Sequence, residues 1–403
     1  MELFISFEQA RDIIMKAVGK QPKRVVGFED ALGMTLAEPV VSNDQIPPFA
    51  NSAMDGYAVR VDDFQSLPVN LQILGHIPAG AVPDGSVVSG TCMKIMTGAP
   101  FPGGADAVVP IEWVTGEEGD RVTFDRAPVA GQHVRPAGQD VQRNELVLES
   151  GQVVTPPVTG MLATLGYSQV SVCVPPTVAV IATGDELIHP GEALSPGKIR
   201  NSSGSALRAQ VLAAGGSPMG PYLARDNKES IEEVLKEALQ ADMLLFAGGV
   251  SVGDYDLVKQ VLDDFGLDLL FWKIKQRPGK PLAFGLLQEK PVFGLPGNPV
   301  SSAMCFEQYV RPAIAQMLGR SQIYRPLYPA YLSHETKKVK GLHFFARGIA
   351  SFDETGKLRV RDTGPQASNL YSSVVRANCI FHMPADLEAA PAGTPVQLEW
   401  LSW

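Results

Sequence analysis

Between residues 175 and 320, uninterrupted apolar runs alternate with stretches whose apolar positions recur every three or four residues. TVAVIATG, MLLFAGG, LDLLFWKI and PVFGLPG are short and apolar throughout, as strands covered on both faces are. Helical spacing marks SSGSALRAQVLAAGG, read as Ser-capped and stopped by glycines, and DYDLVKQVLDDFG. SIEEVLKEAL offers Ser230 as cap with Glu233 three residues on, a capping box, and NPVSSAMCFEQYVRPAIAQMLG predicts one long helix with proline near its start. This alternation predicts an α/β domain with a mostly parallel sheet between two helical layers.

The pattern differs on either side. Residues 6 to 19 predict an amphipathic helix with Ser6 as N-cap. From about 40 to 172, short Val- and Ile-rich runs separated by Gly, Pro and Asp predict strands and turns, with one helix at TPPVTGMLATLG. After a Pro- and Tyr-marked linker, residues 328 to 403 return to short strands with no convincing helix, a small β domain. The fold class expected is multidomain α/β plus β, and 403 residues suffice for two to four domains.

Composition narrows the function. A formal net charge of −9 argues against nucleic acid or an anionic membrane as general partner, because both reward a basic face. Cys92, Cys173, Cys305 and Cys379 stand singly, with no zinc or disulfide spacing, which suits a reduced, cytoplasmic setting. No apolar run approaches the roughly 20 residues a membrane span needs, and the N-terminus lacks the apolar core of a signal peptide.

Candidate chemistry lies in the loops after the apolar runs. TGDEL, GGVSVGDYD (248–256), RPGKP (277–281) and LPGNPVS (295–301) each follow a predicted strand, where open parallel sheets bind ligands. Glycines admit backbone to a ligand, and helix N-termini present free N–H groups to anions. Glu186, Asp226, Asp254 and Asp256 would repel a phosphate, whereas Lys273, Lys275, Arg277 and Lys280 would attract it. A phosphate-bearing ligand with a hard divalent cation reconciles the two sets, since Mg²⁺ is held by one or two carboxylates plus phosphate oxygens. Individually the features are ordinary: Gly248–Gly249 reads equally as a tight turn, and Asp254 or Asp256 as a helix cap. Neither GxxxxGK nor GxGxxG is present. The β-rich region adds PPFANSAMDGYAVR with Asp55, KIMTGAPFPGGADAVVP with Thr97, and HVRPAGQD with Arg135 and Asp140.

In order along the chain, NSAMDGYAV, KIMTGAPFPGGADAVVP, VRPAGQD, ATGDEL, GGVSVGDYD, PGKP and LPGNPVS resemble the MoeA-type molybdopterin molybdenumtransferases, a family shared with the gephyrin E domain. The resemblance implies insertion of molybdate into adenylylated molybdopterin with release of AMP, stimulated by Mg²⁺. It implies an elongated linking and dimerisation domain (1–42 and 142–174), an inserted β-rich domain (43–141), a three-layer α/β molybdopterin-binding domain (175–322) and a C-terminal small β-barrel (323–403). It also implies a homodimer whose active site joins the inserted domain of one subunit to the α/β domain of the other. Carried over by motif, Asp55, Asp140, Glu186, Asp226, Asp256 and Lys273 take catalytic roles. Thr97, Arg135, Gly248, Gly249, Ser251, Arg277, Lys280, Pro296, Pro299, Arg347 and Ser368 contact substrate, and Asp226 or Asp256 holds the metal.

Several positions depart from the family pattern. Ala247 stands where Ser or Thr is usual, Arg277 replaces Lys before PGKP, and Asn144 replaces a Gly that it can imitate in the left-handed region. QASNLYSSVVRAN (366–378) lacks the usual Ser-Gly beside the molybdate contacts. Two rival readings remain. A molybdopterin adenylyltransferase resembles only 175–320 and lacks the β insertion, and a gephyrin-like scaffold would not need the full carboxylate set.

Overall fold

The computed structural model of the protein describes residues 2–249 and 257–402. They fall into two compact units, residues 1–38, 150–159 and 168–403 in one and 39–149 and 160–167 in the other.

The first unit is built on a seven-stranded sheet in the order Glu2–Ile5, Asp268–Ile274, Ala283–Leu287, Lys290–Leu295, Met243–Ala247, Thr177–Thr183, Ser217–Ala224. Every strand runs in one direction except Ala283–Leu287, which is antiparallel to both neighbours. Alternate residues face opposite layers, as strand geometry requires. Val178, Val180, Met243 and Leu245 pack with Ile14, Leu207 and Tyr309, while Ala179, Ile181, Leu244 and Phe246 pack with Ile231, Leu235 and Val261. Both faces are therefore covered by helices, which is why the strands read as unbroken apolar runs.

Three strands of this sheet escape the sequence pattern, among them Ser217–Ala224, which carries Pro218, Gly220 and Pro221. Glu2–Ile5 pairs in parallel with Asp268–Ile274 immediately before the helix Phe7–Ala17, whose Ser6 cap and Gln9 complete a capping box. Ala283–Leu287 forms a hairpin with Lys290–Leu295 through Gln288 and Glu289, both at positive φ (52° and 64°).

The caps and breaks also differ from expectation. Asn201, not a serine, caps Ser202–Ala214, and Asn227 caps Lys228–Ala238 by accepting from the Ser230 N–H; the Ser230 hydroxyl accepts from the Arg225 N–H instead. Asn and Asp win N-caps because the side-chain oxygen reaches the N–H two or three residues on. The long helix expected from residue 298 is α over Pro299–Cys305, π over Phe306–Val310 and α again over Arg311–Met317. Pro312 has no N–H to offer the Gln308 carbonyl. Arg11 Nε donates to that carbonyl at 3.3 Å, tying the N-terminal helix to the break.

The C-terminal strands Tyr328–Leu332, His343–Phe352, Leu358–Asp362, Cys379–Met383 and Pro395–Trp400 close into a five-stranded barrel through the pairing of His343–Phe352 with Cys379–Met383. A short helix, Ser372–Arg376, lies in the segment where the pattern showed none. Gln276–Arg277 adds to the barrel in parallel with His343 and Phe344, binding it to the α/β sheet.

The second unit carries a six-stranded mixed sheet in the order Ala107–Pro110, Gly56–Val59, Thr91–Ile95, Val69–Ile77, Arg121–Phe124, Val114–Glu118. Tyr57, Val109, Val122 and Phe124 fill one core of it.

Candidate active site

A cleft of ≈ 890 Å³ opens at the carboxyl ends of the parallel strands. Gly184 and Glu186 from the first strand-end loop line it, with Gly248 and Gly249, Pro281, and Pro296 to Pro299 from the other three. Ser202 and Ser203, in the first turn of the helix Ser202–Ala214, supply a further wall and point that helix N-terminus at the cleft.

The floor is Thr183, the last residue of its strand, 6 % exposed and, among the described residues, with no hydrogen-bond partner for Oγ1. Gly248 (φ 100°) and Gly249 (φ 66°) lie against it. A Cβ at Gly248 would stand 3.1 Å from Thr183 Oγ1, and one at Gly249 would stand 2.9 Å from it and 2.3 Å from Val258 Cγ2. The double glycine thus keeps a buried hydroxyl clear while satisfying a turn that side chains resist. An unpaired buried hydroxyl costs free energy unless something binds it.

Acids stand at the rim. Asp226 Oδ2 accepts from the Asp185 N–H at 3.1 Å, and Asp185 Oδ1 accepts from the Asp226 N–H at 3.3 Å. Asp226 Oδ1 has no hydrogen-bond donor among the described residues. The Glu186 carboxylate folds back over Gly184, where a Cβ would come within 2.5 Å of Oε2. Ser251, Asp254 and Asp256 lie outside the described residues. Among the described residues, no three His, Cys, Asp or Glu side chains are grouped to hold a metal ion.

The basic residues are spread more widely. Lys273, at φ 69°, does not line the cleft; its ammonium sits 4.6 Å from the Trp272 ring centroid. Lys275 and Lys280 lie 5.5 and 5.1 Å from the ring of Phe4. Arg277 instead lines a ≈ 380 Å³ pocket of the barrel with Thr336, Lys337, Lys338 and Gln366. Beside it Arg347 is fully buried: Nε donates to Ser373 Oγ (2.8 Å), NH2 to the Ala367 carbonyl (3.3 Å), and NH1 has no partner among the described residues. Burial, then the nearby Arg277 charge, pulls its pKa down to about 10. Thr336 Oγ1 is likewise buried and, among the described residues, unpartnered. Ser368 is half-buried in the turn that follows Ala367.

In the second unit three separated stretches meet. Asn51–Ser52 pairs with Val134–Arg135, Ser52 bonds Ala99 and Gly98 through its backbone, and Ile46 accepts from the Asp140 and Val141 N–H groups. Asp55 Oδ1 accepts from the Thr97 N–H (2.7 Å) and hydroxyl (2.8 Å), which hold the Asp55 carboxyl below the usual carboxylate range. Arg135 and Asp140 are exposed alongside. Replacing Thr97 by Val removes the hydroxyl bond but keeps the N–H bond, so the Asp55 carboxyl-carbon titration followed by NMR should move up toward the ordinary aspartate range; an unmoved midpoint would show that the hydroxyl bond does not form in solution. Because the folded pKa is lowered, the stability this pair gives is present above the unfolded pKa and is lost as pH falls through the folded one.

Of these positions, Thr183 and Asn201 carried no separate signal. Thr183 sits inside ATGDEL, where the acids attract attention, and NSSG reads as a serine cap although Asn leads it.

An open α/β sheet with an anion-ready rim cleft, an inserted β sheet and a closed C-terminal barrel define a multidomain ligand-binding enzyme of mixed α/β and β architecture. Residues 5–166 match the MoeA N-terminal region (domain I and II), 179–316 a probable molybdopterin binding domain, and 329–401 the MoeA C-terminal region (domain IV). The chain is 35 % identical over 98 % of both chains to the molybdopterin molybdenumtransferase of Haemophilus influenzae. It is 36 % identical over 93 % of its length to molybdopterin molybdenumtransferase 2 of Mycobacterium tuberculosis, covering 94 % of that protein. The crystal structure of the molybdopterin biosynthesis MoeA protein from Pyrococcus horikoshii OT3 is similar with a TM-score of 0.85 at 30 % identity, over 99 % of this chain and all of that one. The chain belongs to the MoeA family of molybdopterin molybdenumtransferases.

Proposed function

We propose that the protein inserts molybdate into adenylylated molybdopterin and releases AMP. The observation that carries this reading is the unpaired Thr183 hydroxyl at the floor of the cleft, flanked by two residues without Cβ and faced by a helix N-terminus. Such a floor suits a phosphoanhydride oxygen, which accepts from a hydroxyl and from backbone N–H groups and needs close backbone approach.

The chain's own part is positioning and charge placement. Thr183 and the backbone N–H groups of Gly249 and the Ser202–Ser203 turn hold the pyrophosphate, while Glu186 and Asp226 at the rim orient the attacking group. Asp226, with one free carboxylate oxygen, fits a magnesium ligand, and Asp256 is the second residue proposed for that role. When bound, Mg²⁺ would neutralise charge on the phosphate oxygens. Arg347, short of one partner, and Arg277 with Lys337 suit a compact oxyanion, and molybdate is the substrate we place there with Ser368 beside it. Asp55, Thr97, Arg135 and Asp140 would complete the site from a second subunit of a cytoplasmic homodimer.

The test is AMP release by purified protein from adenylylated molybdopterin, with molybdate and tungstate run side by side. Oxyanion-dependent AMP release is the expected result. ATP-dependent adenylylation of molybdopterin would point to the earlier transferase, and no turnover of either kind to a scaffold.

A further inference from the structure

Away from the rim cleft, a ≈ 530 Å³ cavity lies between the helix Ser202–Ala214, the broken helix from Pro299 to Met317 and the short barrel helix Ser372–Arg376. Ala206, Ala209, Ala213, Ala303 and Val374 give it apolar walls. Its polar end holds two guanidinium groups and one carboxylate. Glu307, 3 % exposed, accepts from Arg325 NH2 at 2.9 Å on Oε2 and from Gln210 Nε2 at 2.9 Å on Oε1. Arg325 NH1 donates to the Trp400 carbonyl and to Ser402 Oγ, at 3.2 and 3.1 Å.

Arg311 is the unsettled member. Its side chain is 15 % exposed, its Nε stands 3.7 Å from Glu307 Oε2, and it makes no side-chain hydrogen bond among the described residues. Burial, then the charge of Arg325, brings its pKa down to about 10. A guanidinium taken that far from water is normally bound by a bidentate acceptor. Here Glu307 is already engaged by Arg325 and Gln210; with Glu399 and Arg11, whose charges also reach Arg311, the three arginines face two carboxylates, and the polar end carries an excess positive charge. The volume is in the range of small-molecule sites, which are mostly apolar with a few placed polar groups.

We propose that this cavity is a second ligand site, for a small monoanion with an apolar body of the aryl-carboxylate class, whose carboxylate pairs with Arg311 while its ring lies on the alanine wall. One excess positive charge favours a monoanion over a phosphate ester, and the alanines leave room that a side chain of the protein does not fill. The site is separate from the rim cleft and does not depend on the reaction proposed there.

The test is calorimetric titration of the full-length protein with 2-naphthoate, with naphthalene-2-carboxamide and acetate as the neutral and body-less comparisons. Saturable 2-naphthoate binding, with both comparisons at least about 10-fold weaker, is the expected result, in line with a charge-assisted bond to a buried cation. Arg311→Gln should weaken 2-naphthoate by about 10-fold or more, on the same ground. Ala209→Phe, on an exposed helix position at the mouth, should also weaken it while keeping the guanidinium. Circular dichroism and thermal unfolding, which do not depend on the proposed reaction, check that both variants are folded. Absence of 2-naphthoate binding to the wild type, equal binding of the carboxamide, or wild-type affinity in a folded Arg311→Gln protein would overturn the proposal.

Discussion

Gly249→Ala should abolish most of the activity while leaving a folded protein. At φ 66° an alanine costs roughly 1–2 kcal/mol in backbone strain alone. Its methyl would sit 2.3 Å from Val258 Cγ2 and 2.9 Å from Thr183 Oγ1, so either the turn or the start of the helix Leu257–Asp264 must shift. Overpacking of this kind adds about 1–3 kcal/mol. The catalytic effect is larger, because the turn also shapes the floor that holds the pyrophosphate. A displacement near 1 Å at such a place lowers turnover by about 100-fold. Gly160→Ala is the control: it is helical, has nothing within 4 Å of the new methyl, and should gain about 0.5–1 kcal/mol with AMP release unchanged. The readouts are thermal unfolding and the rate of AMP release for both variants. Wild-type turnover in Gly249→Ala would show that this turn does not form the ligand floor.

The contrast between those glycines shows what the chain reveals by itself. Runs such as TVAVIAT announce a sheet covered on both faces, because a strand that is apolar at every position has no side to turn toward water. The rim could also be read, since each loop there follows a strand end. What stays hidden depends on partners remote in sequence. Ala283–Leu287 lacks a glycine turn to mark it: the hairpin is made by Gln288 and Glu289 in a conformation usually left to Asn-Gly. Glu2–Ile5 merges with the apolar positions of the helix after it, and only its pairing with Phe271 and Trp272 makes it a strand. Asn144, by contrast, takes φ 65°, the left-handed conformation that a substitute for glycine needs. Arg347 and Arg311 are ordinary arginines in sequence, and it is burial without full pairing that distinguishes them. Thr183 belongs with them: strand, glycines and helix must all be in place before its hydroxyl is seen to lack a partner.

Asp55→Ala and Asp226→Ala, each nearly inactive alone, should recover activity when mixed under conditions of proven subunit exchange. The proposal behind this is that each active site takes Asp55 from one subunit and Asp226 from the other. Asp55 is placed with care, its Oδ1 fixed by two bonds from Thr97, which is the support a positioned carboxylate needs. Asp226 is held by its reciprocal pair of backbone bonds with Asp185. Loss of either charge from a site that relies on placed carboxylates should cost about 100- to 1000-fold in turnover. In a two-fold dimer formed by random mixing, half of the molecules carry one subunit of each kind. One of the two sites in such a dimer then holds both mutations and the other holds neither. With equal amounts of the variants, AMP release should return to about one quarter of the wild-type rate. If both carboxylates served the same site from one chain, every site in the mixture would lack one of them and the rate would stay at the level of the single variants. Titrating the ratio of the two proteins sharpens the distinction, because recovered activity must peak at equal amounts and fall symmetrically on either side.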